Sequence, residues 1–378
     1  MLAKRGIMSK RCFERSEDLH MSDEDFMRRA IELAERGRFS VMPNPLVGCV
    51  LVRNGEIIAE GWHDHLGGLH AEQMAIADAE VRGVETQGST AYVTLEPCNH
   101  FGRTPPCSEA LMWAGINKVI IGTSDPNPTV RGGGLEALNK EGIDVKIGVL
   151  EKECNQQMSA FMHWCKNKRP HVLLKAATDC NGRIDGDPEM PAIRFSSKES
   201  LDLVQNLRRD SMAIIVGVNT IIRDNPRLTV RGDNLPEVNN IPKRIVIDPN
   251  NRIPQNCYVM IEPDAETYLI NTKKFDKSKD MKHVTRIILP SESGEIDIKK
   301  ILDCLGDLEI QTLLVEGGLN TWKRFLDSNL VNSAHLCVSE IILSGESESY
   351  FTNIDLENAG LKIVEKINLG IDNISRWE

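Results

Sequence analysis

Residues 70–72 read His-Ala-Glu, and residues 94–107 read Thr-Leu-Glu-Pro-Cys-Asn-His-Phe-Gly-Arg-Thr-Pro-Pro-Cys. Between them they offer one imidazole and two thiols: His70, Cys98 and Cys107. A nitrogen and two sulfurs suit zinc, and three protein ligands leave one coordination position open for chemistry. Glu72 stands two residues past His70, near enough to reach a water there without being a ligand. A zinc ion so held brings the pKa of water down to about 7. Glu72 would accept that water's proton and pass it to a departing amine. A His-x-Glu followed by Pro-Cys and a second Cys is the pattern of zinc deaminases. His-x-Glu or Pro-Cys alone carries little. In this order, with a strand expected before Pro97 and a helix from Cys107, they are specific.

The spacing adds information. The short form of the motif is Cys-x-x-Cys, but here eight residues, Asn99 to Pro106, separate Cys98 from Cys107. A loop strung between two metal ligands stands near the metal and can shape a substrate pocket. His100 and Arg103 in that loop are candidates for binding a phosphate or a ring oxygen.

Outward from the motif, hydrophobic periodicity alternates between strand and helix. Ser22-Asp23-Glu24-Asp25 reads as a helix start, with apolar residues recurring from Phe26 to Ala34 and Gly37 as the stop. Val47 to Arg53 and Glu56 to Gly61 read as strands about an Asn54-Gly55 hairpin turn. A helix is expected from His70 to about Arg82, a strand over Ala91–Leu95, a helix over Cys107–Ala114 and a strand over Lys118–Gly122. Gly132-Gly133-Gly134, with no Gly-Lys-Ser/Thr after it, reads as a flexible entry to a short helix. A strand at Val145–Val149 and one helix to about Trp164 complete a three-layer α/β domain. Trp113 and Trp164 read as packing residues.

Lys166 to Pro170 is polar, basic and ends in Pro, which places a boundary there. The expected organisation is an extension over 1–21, one domain over 22–168 and another over 169–378. Strands follow at 172–177, 213–217, 244–247, 267–270 and 312–315, with a helix over Ser197–Arg209. Residues 232–243 and 271–298 read as loops.

A chain of 378 residues fits two domains. A net charge of −10 argues against a general nucleic-acid partner. Ten scattered Cys suit a reducing compartment. No apolar run reaches the ~18–20 residues of a membrane span. Residues 1–21 lack the apolar core of a secretory signal. A cytoplasmic location is expected, with organelle import through residues 1–21 left open.

Further stretches carry a resemblance. Pro43-Asn44-Pro45-Leu46-Val47-Gly48-Cys49-Val50, Thr94 to His100, Gly102 to Cys107 and Asp125-Pro126-Asn127-Pro128 resemble the bifunctional deaminase–reductase family of riboflavin biosynthesis. So do residues 210–231 and Leu313 to Gly318, so the resemblance covers nearly the whole chain. It implies a cytidine-deaminase-like α/β/α domain followed by a dihydrofolate-reductase-like α/β domain. It also implies hydrolytic deamination of a phosphoribosylaminopyrimidine, then NADPH-dependent reduction of its ribosyl chain to ribityl, with Zn2+ and NADPH as cofactors. A homo-oligomer is implied too, though composition does not demand one.

By matched position, Asn44 and His63 fall at the deaminase pocket. Thr178, Arg194, Thr220, Asp224, Gly317 and Gly318 fall to NADPH, and Arg208, Leu228 and Arg231 to the substrate, the two Arg being suited to its phosphate. Lys175 and Glu316 fall near the reacting sugar carbon. Arg194 stands where many bacterial members carry an aromatic residue. Glu-Gly-Gly at 316–318 lets the backbone approach a pyrophosphate, although no Gly-x-Gly-x-x-Gly is present. The family often reads Lys-x-x-x-Ser-x-Asp-Gly-Arg where this chain has Asp179 and Asn181. A carboxylate beside a cofactor phosphate would be unfavourable, unless Asp179 points away. Two alternatives therefore stand: a deaminase with a degenerate reductase half, or a nucleoside or nucleic-acid deaminase with an unrelated appendage.

Overall fold

A computed structural model describes residues 21–99, 105–127, 133–187, 190, 193–232, 241–276, 280–344 and 349–378. The first helix, α1 (Asp23–Ala34), is nucleated by a capping box. Ser22 accepts the Asp25 N–H, and the Asp25 carboxylate accepts the Ser22 N–H at 2.9 Å, satisfying two of the donors a helix start leaves open. Strands β1 (Gly48–Arg53) and β2 (Glu56–Trp62) follow. Asn54 and Gly55 between them both have positive φ, 54° and 82°, as a type I′ hairpin requires.

Next come α2 (Ala71–Val81), β3 (Thr90–Leu95), α3 (Cys107–Trp113), β4 (Lys118–Thr123), α4 (Gly133–Lys140) and β5 (Asp144–Ile147). The sheet order is β2-β1-β3-β4-β5, with β3, β4 and β5 parallel and β1 antiparallel to both neighbours. Alternation along each strand builds three layers. Cys49, Leu51, Ala91, Val93, Val119 and Ile121 pack against α2, α3 and α4. Val50, Val52, Tyr92 and Ile120 face α1 on the other side.

The single helix expected up to Trp164 is two helices, α5 (Glu151–Gln157) and α6 (Ser159–Asn167). They meet at Met158, whose φ of −105° and ψ of 20° leave the helical region. Hydrogen bonds continue through it, Met158 N to Cys154 O at 3.2 Å and Met162 N to Met158 O at 2.9 Å. The break is thus a kink, at a residue whose side chain is buried in the α1-side core. Trp113, expected in packing, is 72% exposed.

The second sheet begins at β6 (His171–Thr178) and continues through α7 (Lys198–Arg209), β7 (Ala213–Gly217), α8 (Val218–Asp224), β8 (Lys243–Ile247), α9 (Tyr258–Ile261) and β9 (Thr267–Asn271). Then come β10 (Val284–Ile288), α10 (Ile298–Asp307), β11 (Thr312–Val315), α11 (Leu319–Asp327), β12 (Ser333–Ser339), α12 (Asn353–Asn358), β13 (Ile363–Leu369) and β14 (Asp372–Trp377). The order is β10-β9-β8-β7-β11-β6-β12-β14-β13, parallel from β10 to β12 and antiparallel beyond.

Strand β10 corrects the expectation of a loop over 271–298. It pairs in parallel with β9 and places Arg286 inside, where Asp280 neutralises it at 2.6 Å. Of the expected loop over 232–243, residues 233–240 lie outside the described residues. Among the described residues no helix is long and apolar enough to cross a membrane.

The two sheets are joined tightly. Arg38 pairs with Asp210 at 2.7 Å, and the Arg209 guanidinium lies 4.1 Å above the Phe39 ring. His163 on α6 meets the Asn332 amide at 3.1 Å.

Candidate active sites

Three local structures deliver the first site. His70 is the residue preceding α2, Cys98 ends the turn after β3, and Cys107 is the first residue of α3. Their ligand atoms all lie within 4.8 Å of one another. His70 Nδ1 is 3.2 Å from Cys107 Sγ and 3.5 Å from Cys98 Sγ. The Cys107 N–H donates to Cys98 Sγ at 3.4 Å, and the Ser108 N–H to the Cys98 carbonyl at 3.2 Å. A Cβ on Gly134 would come within 2.0 Å of the Pro97 carbonyl. Gly134 therefore lets α4 press on the loop that carries Cys98, a close-packing role for this one glycine of the run; Gly132 lies outside the described residues.

The thiols divide one charge unevenly. Hydrogen bonding from Cys107, and then from His70, outweighs burial and brings Cys98 down to about 4, while the Cys98 contact and burial push Cys107 up. A divalent cation would stabilise both as thiolates. The set of one N and two S with an open fourth position fits zinc. Glu72, in the first turn of α2, is only 3% exposed; burial, helped by the Cys98 charge, pushes its carboxyl up to about 7.

Asn44 and His63, placed at this pocket by resemblance, do stand beside it. The two rings of His63 and His70 are 5.6 Å apart, edge to face. His63 Nδ1 is 2.9 Å from the Leu69 carbonyl, so it carries the proton; Nε2, 3.0 Å away, then accepts from Asn44 Nδ2. Burial holds His63 below its ordinary pKa and favours this neutral form. His100 and Arg103 lie outside the described residues. Glu96, which sequence reasoning passed over, is buried next to Pro97 and accepts the Asp125 N–H at 3.2 Å, tying the β3 and β4 loops together.

The second site is a cleft of about 1590 Å³ along the C-terminal ends of β6, β7, β8 and β11. Lys175, Arg194, Arg208, Thr220, Asp224, Leu228, Arg231, Glu316, Gly317 and Gly318 all line it. Arg208 forks onto Glu316 with two bonds of 2.7 Å and donates a third to the Thr229 carbonyl at 3.0 Å. Burial opposes the Glu316 charge, yet Arg208 and Lys175 hold the carboxyl below its usual range. Burial lowers the Lys175 pKa, against the pull of Glu316. Gly317 has φ 115°, and a Cβ there would come within 2.9 Å of Thr220 Oγ1. A Cβ on Gly318 would meet nothing within 4 Å, so that backbone is open to a ligand.

Thr178 does not line the cleft. Lys175 and Ala177 do, so the two-residue period of β6 turns Thr178 to the opposite face, where it is buried. Asp179 points away as well. Its carboxylate accepts the N–H groups of Asn181 and Arg183 at 2.8 Å each and of Leu343 at 3.0 Å. It pins a turn and puts no charge into the cleft. Sequence reading missed Asn219 and Arg252, which also line it. The available signal was Asp-Pro-Asn-Asn-Arg at 248–252, directly after a parallel strand, where such sheets bind ligands.

Residues 170–374 match the RibD C-terminal domain, and residues 20–123 match the cytidine and deoxycytidylate deaminase zinc-binding region. The riboflavin biosynthesis protein RibD of Actinobacillus pleuropneumoniae is 40% identical over 331 residues, 86% of each chain. That of Escherichia coli K12 is 36% identical over 349 residues, 89% of this chain and 93% of its own. The crystal structure of a diaminohydroxyphosphoribosylaminopyrimidine deaminase/5-amino-6-(5-phosphoribosylamino)uracil reductase from Thermotoga maritima matches with a TM-score of 0.82 at 35% identity, covering 94% of this chain and 98% of that one. With both domains matched and relatives aligned over most of their length, the chain belongs to the RibD family of riboflavin biosynthesis enzymes, built of a deaminase domain and a reductase domain.

Proposed function

We propose that the first site deaminates 2,5-diamino-6-(5-phosphoribosylamino)pyrimidin-4(3H)-one with zinc held by His70, Cys98 and Cys107. The second cleft then reduces the ribosyl chain of the product, 5-amino-6-(5-phosphoribosylamino)uracil, to ribityl with NADPH. The observation that carries the reading is the convergence of the three ligand atoms within 4.8 Å beside the buried Glu72.

Zinc supplies Lewis-acid activation of water. Glu72 takes a proton from the attacking water and delivers it to the amine as the bond between the ring carbon and its exocyclic nitrogen breaks, a C=O forms and ammonia leaves. Its burial in the first turn of α2, beside the three candidate ligands, suits a group that carries that proton. Asn44, fixed by His63, is positioned to orient the ring.

In the second cleft, NADPH supplies the hydride. The anomeric carbon of the ribosyl group gains that hydride as its bond to the ring oxygen breaks, the ring oxygen gains a proton, and the bond to the amine nitrogen is kept. Lys175, with its ammonium pKa lowered by burial, is the candidate proton donor, and Arg208 holds Glu316 beside it. Arg231 and Arg194 offer guanidinium groups for the substrate phosphate and for the cofactor. The inward bonding of Asp179 supports a working reductase.

The test supplies zinc-replete protein with the diaminopyrimidinone substrate, with and without NADPH, following ammonia and NADPH separately. Ammonia release, with NADPH oxidation dependent on it, is expected. Ammonia alone would leave only the deaminase; no ammonia would overturn the reading.

A further inference from the structure

The arginines of the second cleft differ in how they are neutralised. Arg208 pairs with Glu316, Arg223 with Asp185 and Arg227 with Glu262. Arg324 donates to the Ile296 carbonyl. Arg252, like Arg194 and Arg231, has no carboxylate partner among the described residues, and it is the one of the three that stands beyond β8. Its Nη2 donates to Asn219 Oδ1 at 2.6 Å, and among the described residues no carboxylate comes within ion-pair distance. A neutral amide aims the guanidinium without cancelling its charge. The loop behind it is fixed: the fully buried Asp248 carboxylate accepts the N–H groups of Arg252 and Ile253, each at 2.9 Å.

The sheet supplies a ruler. Lys175 stands on β6, the open Gly317-Gly318 backbone follows β11, Asn219 and Thr220 follow β7, and Arg252 follows β8. These strands are consecutive in the sheet, in the order β6-β11-β7-β8. Three steps of ~4.8 Å put Arg252 about 14 Å from the line of Lys175. That is the scale of an extended dinucleotide, with its nicotinamide at Lys175, its pyrophosphate over Gly317-Gly318 and its adenosine ribose beyond. Arg231 belongs to the other end, where burial and the charges of Arg208 and Arg194 depress its guanidinium pKa.

We propose that Arg252 binds the 2′-phosphate of the adenosine ribose and thereby selects NADPH over NADH. Asn219 holds the guanidinium in place for it. The fork of an arginine matches phosphate oxygens in pairs, and a guanidinium with no carboxylate partner breaks no ion pair when the phosphate arrives. The proposal rests on the reductase reading of the cleft.

The test uses the full-length, zinc-loaded protein and its Arg252→Gln and Arg252→Lys variants. Calorimetry measures binding of NADP+, NAD+ and 2′,5′-ADP, and steady-state assays on the deaminated substrate give KM for NADPH and NADH. Arg252→Gln should weaken NADP+ and 2′,5′-ADP roughly ten- to hundred-fold, the value of one charge-assisted contact. NAD+ binding should hold, KM for NADPH should rise more than KM for NADH, and Arg252→Lys should recover part of the loss. Unchanged NADP+ affinity would place the 2′-phosphate elsewhere. An equal loss of NADP+ and NAD+ would make Arg252 a structural residue. If the wild-type protein bound neither dinucleotide, the reductase reading itself would fall, and this assignment with it.

Discussion

Arg38 and Asp210, 172 residues apart, form an ion pair of 2.7 Å that crosses from the deaminase half to the reductase half. The next residues along repeat the link, Arg209 lying over the Phe39 ring. Arg38 and Phe39 open the loop that leads to Asn44 at the first site, and Arg208, one residue before Arg209, holds Glu316 at the second.

Loosening that loop should therefore be felt in deamination. Arg38→Ala is expected to raise the deaminase KM a few-fold by freeing the approach to Asn44. NADPH oxidation on supplied deaminated substrate should keep its kcat. Parallel assays of ammonia release and NADPH oxidation check this, and an unchanged deaminase KM would sever the loop from the site.

The roles of ligand and proton carrier separate by substitution. Glu72→Gln should keep one zinc per chain and lose deamination by about 10²–10⁴-fold. Cys107→Ser should lose the metal together with the activity, because a hydroxyl is a poor substitute for a thiolate. Metal analysis beside ammonia release distinguishes the two. Zinc at the wild-type level in Cys107→Ser would remove that residue from the ligand set.

Asp179 is expected to matter for stability and not for the cofactor. Asp179→Ala leaves three N–H groups without their acceptor, at a cost of roughly 1–3 kcal/mol. Urea denaturation should show a lower midpoint, while calorimetry should find NADP+ affinity unchanged. A large loss of NADP+ binding with stability intact would return Asp179 to the cofactor site.

Burial holds His171 and His335 down at about 4, against an unfolded value near 6.5. Between those values the unfolded chain binds more protons than the folded one, so stability rises with pH across that window. The contribution is present above pH 6.5 and lost as pH falls toward 4. Thermal midpoints of wild type and a His171→Gln/His335→Gln double variant, taken from pH 7 to pH 4.5, should show a shallower acid slope in the variant. Identical slopes would refute the assignment.

Local patterns in the sequence foretold most elements, because periodicity and capping act within a few residues. Ser22 with Asp25, and Asn54 with Gly55, specify their structures almost alone. The cluster of His70, Cys98 and Cys107 was legible for the same reason, since two short motifs carry all three. What escaped depends on partners far along the chain or on the side to which a residue turns. Strand β10 looked like loop because its Arg286 meets a buried acid only after folding. That the Thr178 side chain turns away from the cleft was not legible, because matched position says nothing about which face of a strand a side chain takes. The worry over Asp179 dissolved only when Leu343, 164 residues away, came to it. Arg252 stood unremarked until strand order set it three strands away from Lys175.

The clasp of Arg38 and Phe39 with Asp210 and Arg209 also bears on the chain's evolution and on its engineering. A cut between residues 167 and 171 would part no strand from its sheet, and on paper it yields two free-standing enzymes. Each fragment would nonetheless be born with half a joint: one a bare phenyl ring beside a guanidinium that keeps only Glu35, the other an acid stripped of its counterpart. Fission of such a gene asks for repair on both new surfaces at once, and co-expression of the pieces is the simpler route to two working halves.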